Sequence, residues 1–213
     1  EGAYLRSLPD SLDIVTLANS ENISTYDRED IPLLQEKSTK VLYRIDYASQ
    51  AAILSDAAKL GAFLDKAIAT ATELNLNGFA FTGMPLYSGT EAELAARKEA
   101  AKLIVSRLSA AASGDKLLVL DGDPAFVETS DIEKLDYIVL NTVDITNVTT
   151  LKLLVTGLLD NQSLPKEKLL LAAKINNQII DETNVKQDAV TVMTERVVSL
   201  GPLGGLAIFA TGD

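Results

Sequence analysis

The chain of 213 residues contains no cysteine, no histidine and no tryptophan. The lack of cysteine excludes disulfide bonds, thiol catalysis and cysteine-bound zinc. The lack of histidine excludes Ser-His-Asp triads, acid–base catalysis by imidazole and nearly all zinc enzymes. Aromatic residues make up only 5% of the chain, so a binding surface built on aromatic rings would have few members.

The composition is that of a soluble globular domain, with 47% apolar and 23% charged residues. A chain of this length can bury one substantial core, and we expect a single domain over residues 1–213. The net charge of −11 argues against a nucleic-acid partner, because phosphate binding needs clustered lysine and arginine. No apolar run is long enough to span a bilayer. The chain begins at Glu1 without Met, from which we expect that a leader or tag was removed.

Apolar runs typical of buried strands alternate with segments of helical periodicity. The seven predicted strands are 12–19, 41–46, 76–82, 116–121, 136–141, 168–174 and 205–211. The main predicted helices are 32–37, 51–73, 90–112, 131–134, 147–159 and 183–200. This alternation implies a parallel sheet with right-handed crossovers. No Gly-x-Gly-x-x-Gly or Walker loop follows the first strand, which removes the main support for a nucleotide-binding open sheet.

The sequence therefore predicts an α/β fold, a TIM (β/α)8-type barrel that is either complete or lacks one unit. Seven βα units are recognisable where a full barrel has eight. Residues 1–11 are too short and too polar for a full unit. We expect the first barrel strand to be missing, distorted or upstream of this chain.

The third predicted strand ends in the sequence Asn77-Gly78-Phe79-Ala80-Phe81-Thr82-Gly83-Met84. This frame resembles the signature of the family 18 glycoside hydrolases, the chitinases and endo-β-N-acetylglucosaminidases. Their fourth barrel strand carries the pattern Asp-Gly-apolar-Asp-apolar-Asp-x-Glu. The order of strands resembles the same family along nearly the whole chain, with 8–15 as the second strand, 39–43 as the third and 76–82 as the fourth.

The frame matches that family, but its acidic residues are replaced. Ala80 and Thr82 stand where the family has aspartates, and Met84 stands where it has its catalytic glutamate. Family 18 hydrolysis is substrate-assisted: the glutamate protonates the leaving oxygen while the N-acetyl group of the substrate attacks. A methionine thioether cannot donate or accept that proton. The resemblance therefore implies a barrel from which the family reaction is lost.

A ring of polar residues is predicted at the carboxyl ends of the strands, where parallel barrels bind their ligands. Its members are Asn19, Asp46, Thr82, Asp121, Asp123, Asn141, Asp144, Lys174, Asn176, Thr211 and Asp213. Tyr47 and Tyr87 lie beside these ends and could stack on sugar rings, whereas Tyr43 alternates within its strand and fits the core equally well. The residues that we expect to bind ligand are Asp46, Tyr47, Thr82, Tyr87, Asp121, Asp123, Asn141 and Asp144.

The function that follows is that of a catalytically inactive family 18 glycosidase-like protein. We expect it to bind glycans of the N-acetylglucosamine-containing or N-glycan type, with no cofactor and no metal. The resemblance to inactivated surface lipoproteins implies an exported protein of a bacterial glycan-utilisation system, at the cell surface or in the periplasm. Partner proteins of a glycan-uptake complex are implied in the same way.

Two other functions stay open at this point. An active glycoside hydrolase could use a relocated acid at Asp121, Asp123 or Asp144, since a paired carboxyl group can have a raised pKa. A scaffold domain without any ligand is the other alternative. Weaker still are a Mg²⁺ or Ca²⁺ site at Asp46, Asp121 and Asp123 and a Schiff-base role for Lys174, because no spaced metal loop is present and a lone lysine is usually solvated.

Overall fold

The computed structural model describes residues 4–6, 13–17, 22–82, 89–122, 124, 127–140, 145–161, 164–174, 178–188 and 205–209. The strands are β1 (Tyr4–Arg6), β2 (Asp13–Thr16), β3 (Thr39–Ile45), β4 (Gly78–Thr82), β5 (Leu117–Asp121), β6 (Tyr137–Leu140), β7 (Leu169–Lys174), β8 (Gln178–Ile180), β9 (Lys186–Asp188) and β10 (Gly205–Phe209). The α-helices are α1 (Thr25–Glu36), α2 (Ala57–Glu73), α3 (Glu91–Ala111), α4 (Thr129–Ile132) and α5 (Val148–Asn161). Short 3₁₀ turns cover Ala48–Ile53 and Lys166–Lys168.

One eight-stranded sheet organises the chain, in the order β1-β2-β3-β4-β5-β6-β7-β10. Every neighbouring pair from β2 to β10 is parallel, and helices follow β2, β3, β4, β5 and β6. The two end strands, β1 and β10, also lie close to each other, so the sheet curls round on itself. These features confirm the predicted α/β fold, an incomplete barrel of the TIM type.

The first barrel position is occupied by β1, which runs antiparallel to β2. The prediction left the first barrel strand missing, distorted or upstream of this chain, and the structure shows a short antiparallel strand beside β2. Only residues 7–12 separate the two strands, and a parallel crossover needs a dozen residues or more. The chain can fill the place beside β2 only by reversing direction.

The sheet has two apolar faces. The inner face carries one buried residue from each of six consecutive strands: Ile14, Leu42, Ala80, Val119, Val139 and Leu170. We call this set the inner apolar layer. The outer face belongs to the larger core, in which Phe79 and Phe81 of β4 are buried together with residues of α2, α3 and α5. Burial on both faces explains why the strands read as continuous apolar runs.

Capping boxes mark the starts of two helices, α3 and α1. The capping box predicted at Thr90 is present, because Thr90 accepts from the Glu93 N–H and Glu93 reaches back to the Thr90 N–H. The same box at Ser24 and Asp27 begins α1 seven residues before the predicted start, which was wrong. Pro32 consequently lies inside α1 rather than in its first turn.

The predicted long helix over residues 51–73 is divided in two. A 3₁₀ turn covers Ala48–Ile53, and α2 then begins afresh at Ala57. The Asp56 carboxylate accepts from the Lys59 N–H at 3.1 Å and caps the new helix. The alanine-rich pattern on both sides of Asp56 concealed this break.

The prediction of a last helix over 183–200 is wrong at its start. Residues 178–188 form a hairpin in which β8 and β9 pair antiparallel. The Asp181 carboxylate closes the turn by accepting from the backbone N–H groups of Thr183 and Val185 at 2.8 and 2.9 Å. The Ile180 N–H donates to the Thr146 carbonyl at 2.6 Å, which attaches the hairpin beside the start of α5. The remainder of the predicted helix lies outside the described residues.

Candidate functional site

The amino end of the family-like frame is structural. The Asn77 side-chain oxygen accepts from the Val41 N–H at 2.9 Å and from Gln35 Nε2 at 3.0 Å. The Asn77 backbone N–H donates to the Val41 carbonyl, and its own carbonyl accepts from the Leu117 N–H, both at 2.8 Å. One residue thus joins β3 to β5 below the start of β4.

Gly78 follows with a backbone φ of +136°, which side-chain-bearing residues rarely adopt. A Cβ atom built on it would lie 1.9 Å from the Leu117 carbonyl oxygen and 2.6 Å from the Leu117 nitrogen. Glycine is therefore required at this position by the close approach of β4 to β5. The first two positions of the frame position the strand and have no need of a ligand.

The next two inward positions of β4 face the barrel interior. Ala80 is buried in the inner apolar layer, and Thr82 lies two residues further along, on the same face at the carboxyl end. The same step of two residues from Ile14, Leu42 and Val119 reaches Thr16, Arg44 and Asp121. We call Thr16, Arg44, Thr82 and Asp121 the mouth layer. A polar layer therefore lies directly on the apolar one, at the end where parallel barrels bind ligands.

Thr82 links two strand ends through its hydroxyl group. Its Oγ1 accepts from the Tyr47 N–H at 3.0 Å, which ties the segment after β3 to the end of β4. Thr82 also pairs in register with Asp121 of β5. The Thr82 hydroxyl can also act as a donor, since a hydroxyl both donates and accepts.

Asp121 is the half-buried carboxylate of the mouth layer. Burial raises the pKa of Asp121 above its ordinary value, and the positive charge of Arg44 partly offsets this rise. A carboxyl group in this setting holds its proton to higher pH than an exposed aspartate does.

The two described tyrosines of the predicted platform are core residues. Tyr47 is only 3% exposed, and its ring meets Phe81 edge-on with centroids 6.1 Å apart. The expectation of an accessible stacking surface at Tyr47 is therefore wrong, because the 3₁₀ turn after β3 places the ring against the outer core. Its burial raises the pKa of Tyr47 well above its ordinary value. Tyr43 is equally buried and packs near Phe79, which confirms the core alternative.

The remaining predicted ligand residues are placed as follows. Asp46 is exposed at the end of β3, close to the mouth layer in sequence. Lys174 closes β7, and its register partner is Phe209 of β10. Outside the described residues lie Asn19, Met84, Tyr87, Asp123, Asn141, Asp144, Asn176, Thr211 and Asp213. Their assignments to the site stay predictions.

Arg44 belongs to the mouth layer but was not among the predicted site residues. A signal was available, because an arginine inside the apolar run 41–45 has to face one side of the sheet. Since Val41, Tyr43 and Ile45 take the outer core, Arg44 takes the inner face by alternation. The structure places it in register with Ala80, the small residue of the inner apolar layer.

Metal binding and membrane insertion gain no support from the part of the chain that the structure describes. Within it, no three carboxylates come together in a way that could hold a metal ion. No helix in the same residues is long and apolar enough to cross a membrane.

The chain matches no family model and no curated protein. Its fold nevertheless resembles several solved structures. BT1044, solved as a selenomethionine variant, has a TM-score of 0.68 at 16% identity over 94% of this chain and 73% of its own. A family 18 chitinase from Pseudoalteromonas aurantia has a TM-score of 0.63 at 15% identity, covering 92% and 79%. The endo-β-N-acetylglucosaminidase from Cordyceps militaris has a TM-score of 0.60 at 15% identity, covering 95% and 72%. At these identities the similarity establishes a fold like that of family 18 glycosidases.

Proposed function

We propose that this chain is a catalytically inactive glycosidase-like protein that binds glycans at the carboxyl end of its barrel. The glycans are of the N-acetylglucosamine-containing or N-glycan type. One observation carries the proposal: in a fold like that of chitinases, the two inward positions at the end of β4 are Ala80 and Thr82. Neither side chain can carry the charge of the aspartates that the resembling family has at these positions, and Met84 stands where that family has its catalytic glutamate.

The size of the lost contribution supports binding without turnover. General acid catalysis typically contributes 10²- to 10⁴-fold, and stabilisation of a developing cation adds to it. Ala80 contributes nothing to either effect. The Thr82 hydroxyl is already engaged with the Tyr47 N–H and is far too weak an acid to replace a carboxyl group.

A second candidate, an active hydrolase with a relocated acid, is favoured by one feature of Asp121. Its carboxyl group faces inward in register with Thr82, and burial raises its pKa, as a general acid needs. Against it stands its position one strand away from β4, about 4.8 Å to the side. Catalytic groups have to be placed within fractions of an ångström, so this displacement disfavours catalysis.

The cellular setting is part of the same proposal. An exported protein at a bacterial cell surface or in the periplasm, acting with partner proteins of a glycan-utilisation system, fits the resemblance and the acidic composition. A scaffold domain of residues 1–213 without any ligand is the remaining alternative.

The test combines calorimetric binding with mass-spectrometric detection of product, using chitin oligosaccharides and free N-glycans. Binding without product supports the proposal. Product that disappears in Asp121→Asn, but not in the control Asp160→Asn on the exposed side of α5, would establish the relocated acid instead. If neither binding nor product is detected, the proposal is refuted for these glycan classes. The scaffold domain is then the favoured alternative.

A further inference from the structure

Arg44 lies on the inner face of β3, near the carboxyl end of the strand. It follows the buried Leu42 on the inner face of β3, and its register partner on β4 is Ala80. The alanine side chain is small, so it takes up little of the space beside Arg44. Arg44 is half-buried at this position.

Asp121 lies on β5, on the other side of β4 from Arg44. Across β4, Arg44 on β3 is level with Val119 on β5, and Asp121 lies two residues further along β5, so the Arg44 and Asp121 backbones are about 12 Å apart. The positive charge of Arg44 acts on the Asp121 carboxylate across this gap. A five-donor fork beside Ala80 and a two-oxygen acceptor beside Thr82 therefore lie diagonally across β4.

We propose that Arg44 and Asp121 form a ligand-binding pair that spans β4 and determines which sugar the mouth accepts. Arg44 donates to one oxygen of a sugar residue, and Asp121 accepts from a neighbouring hydroxyl of that residue. This inference rests on the proposed function and adds to it the residue that sequence reasoning missed.

The pair selects neutral sugars over anionic ones. Every sugar hydroxyl both donates and accepts, so the hydroxyls of one sugar residue match a donor and an acceptor that approach it from different strands. A carboxylate or sulfate on the ligand would pair with Arg44 but would meet the Asp121 carboxylate as a like charge. The chain as a whole, at −11, also repels anions.

The experiment measures binding at pH 7 by calorimetry, with chitotetraose and a free N-glycan as neutral probes. A third probe is chitotetraose oxidised to carboxylates at C6. The variants are Arg44→Met, Arg44→Lys and Asp121→Asn. Lys40→Met is the matched control, because Lys40 lies on the same strand and the same face at the opposite end of the barrel. It removes one positive charge without touching the mouth.

We expect Arg44→Met and Asp121→Asn each to weaken binding of a neutral probe about ten- to hundredfold, as loss of a charged hydrogen bond does. A double variant that combines Arg44→Met with Asp121→Asn should lose less affinity than the product of the two single losses, since both residues bind one sugar residue. Arg44→Lys should fall between Arg44→Met and the wild type, because lysine keeps the charge but not the fork. Lys40→Met should bind like the wild type, and the oxidised probe should bind more weakly than chitotetraose.

Two results would overturn the inference while leaving the proposed function intact. One is neutral-probe binding by Arg44→Met that equals that of Lys40→Met. The other is tighter binding of the oxidised probe than of chitotetraose. No binding of any probe by the wild type would overturn both proposals. If Arg44→Met does not fold by circular dichroism, Arg44→Lys and Asp121→Asn decide the matter in the same way.

Discussion

Replacing Gly78 by alanine should be among the most damaging single substitutions in the chain. The new Cβ would lie 1.9 Å from the Leu117 carbonyl oxygen, which belongs to a backbone that cannot move without separating β4 from β5. The φ of +136° adds strain of about 1 to 3 kcal/mol for a residue with a side chain. Loss of the bond from the Leu117 N–H to the Asn77 carbonyl adds about 1 kcal/mol. We expect Gly78→Ala to lower the free energy of unfolding by at least about 3 kcal/mol.

Two other glycines separate the effect of steric overlap from that of backbone strain. The free energy of unfolding of all three variants is measured by urea denaturation. Gly114 has a φ of +75° but no atom within 4 Å of the added Cβ, so Gly114→Ala isolates backbone strain, about 1 to 2 kcal/mol. Gly61 lies in α2, where the nearest atom is Arg107 Nη2 at 3.6 Å. Gly61→Ala should raise stability by about 0.5 to 1 kcal/mol through helix propensity.

The order of the three variants tests the reasoning. A loss in Gly78→Ala no larger than in Gly114→Ala would show that the close approach of β4 to β5 is not rigid. In that event the glycine of the frame would need another explanation, such as contact with a ligand.

Three further predictions concern single groups. The pKa of Asp121 should exceed its ordinary value and should rise further in Arg44→Met, as measured by carboxyl-detected NMR titration. Because the pKa of Asp121 is raised in the folded state, protonated Asp121 stabilises the fold at low pH. This stabilisation is lost as the pH rises through that pKa. The pKa of Asp181 should be about 2, owing first to its bond from Gln187, so amide protection of the hairpin should hold above pH 4 and fall as pH approaches about 2. A normal Asp181 value would contradict the observed turn. Thr90→Ala should cost about 1 kcal/mol in the free energy of unfolding because the Glu93 N–H loses its acceptor, and an unchanged urea midpoint would contradict the capping box.

The strands were predictable because burial on both faces leaves a simple trace. The short apolar run predicts a strand over 76–82, and the structure places β4 at Gly78–Thr82. The capping box at Thr90 was readable for the same reason, since each of its bonds is local. A local cause is not sufficient by itself, since the equally local capping box at Ser24 and Asp27 was missed.

The hairpin β8–β9 shows why other features could not be predicted from the sequence. Thr183 resembles a helix start in the sequence, but the Asp181 carboxylate competes for the backbone N–H groups of Thr183 and Val185. Contact with the Thr146 carbonyl then decides for a hairpin, and that partner is more than thirty residues away. Tyr47 was misplaced by the same kind of long-range contact, since its burial depends on Phe81 of another strand.

The frame around Gly78 divides into a half that builds the fold and a half that can carry chemistry. Asn77 and Gly78 are held by hydrogen bonds and by steric necessity, as any chain that brings β3, β4 and β5 this close would require. Ala80 and Thr82 face the interior, where an alanine fits the inner apolar layer without any charge to stabilise. A chain can therefore lose its carboxylates at these positions and keep the frame intact. The frame is consequently evidence for the barrel, whereas the proposals of catalysis or binding rest on residues 44, 80, 82, 84 and 121.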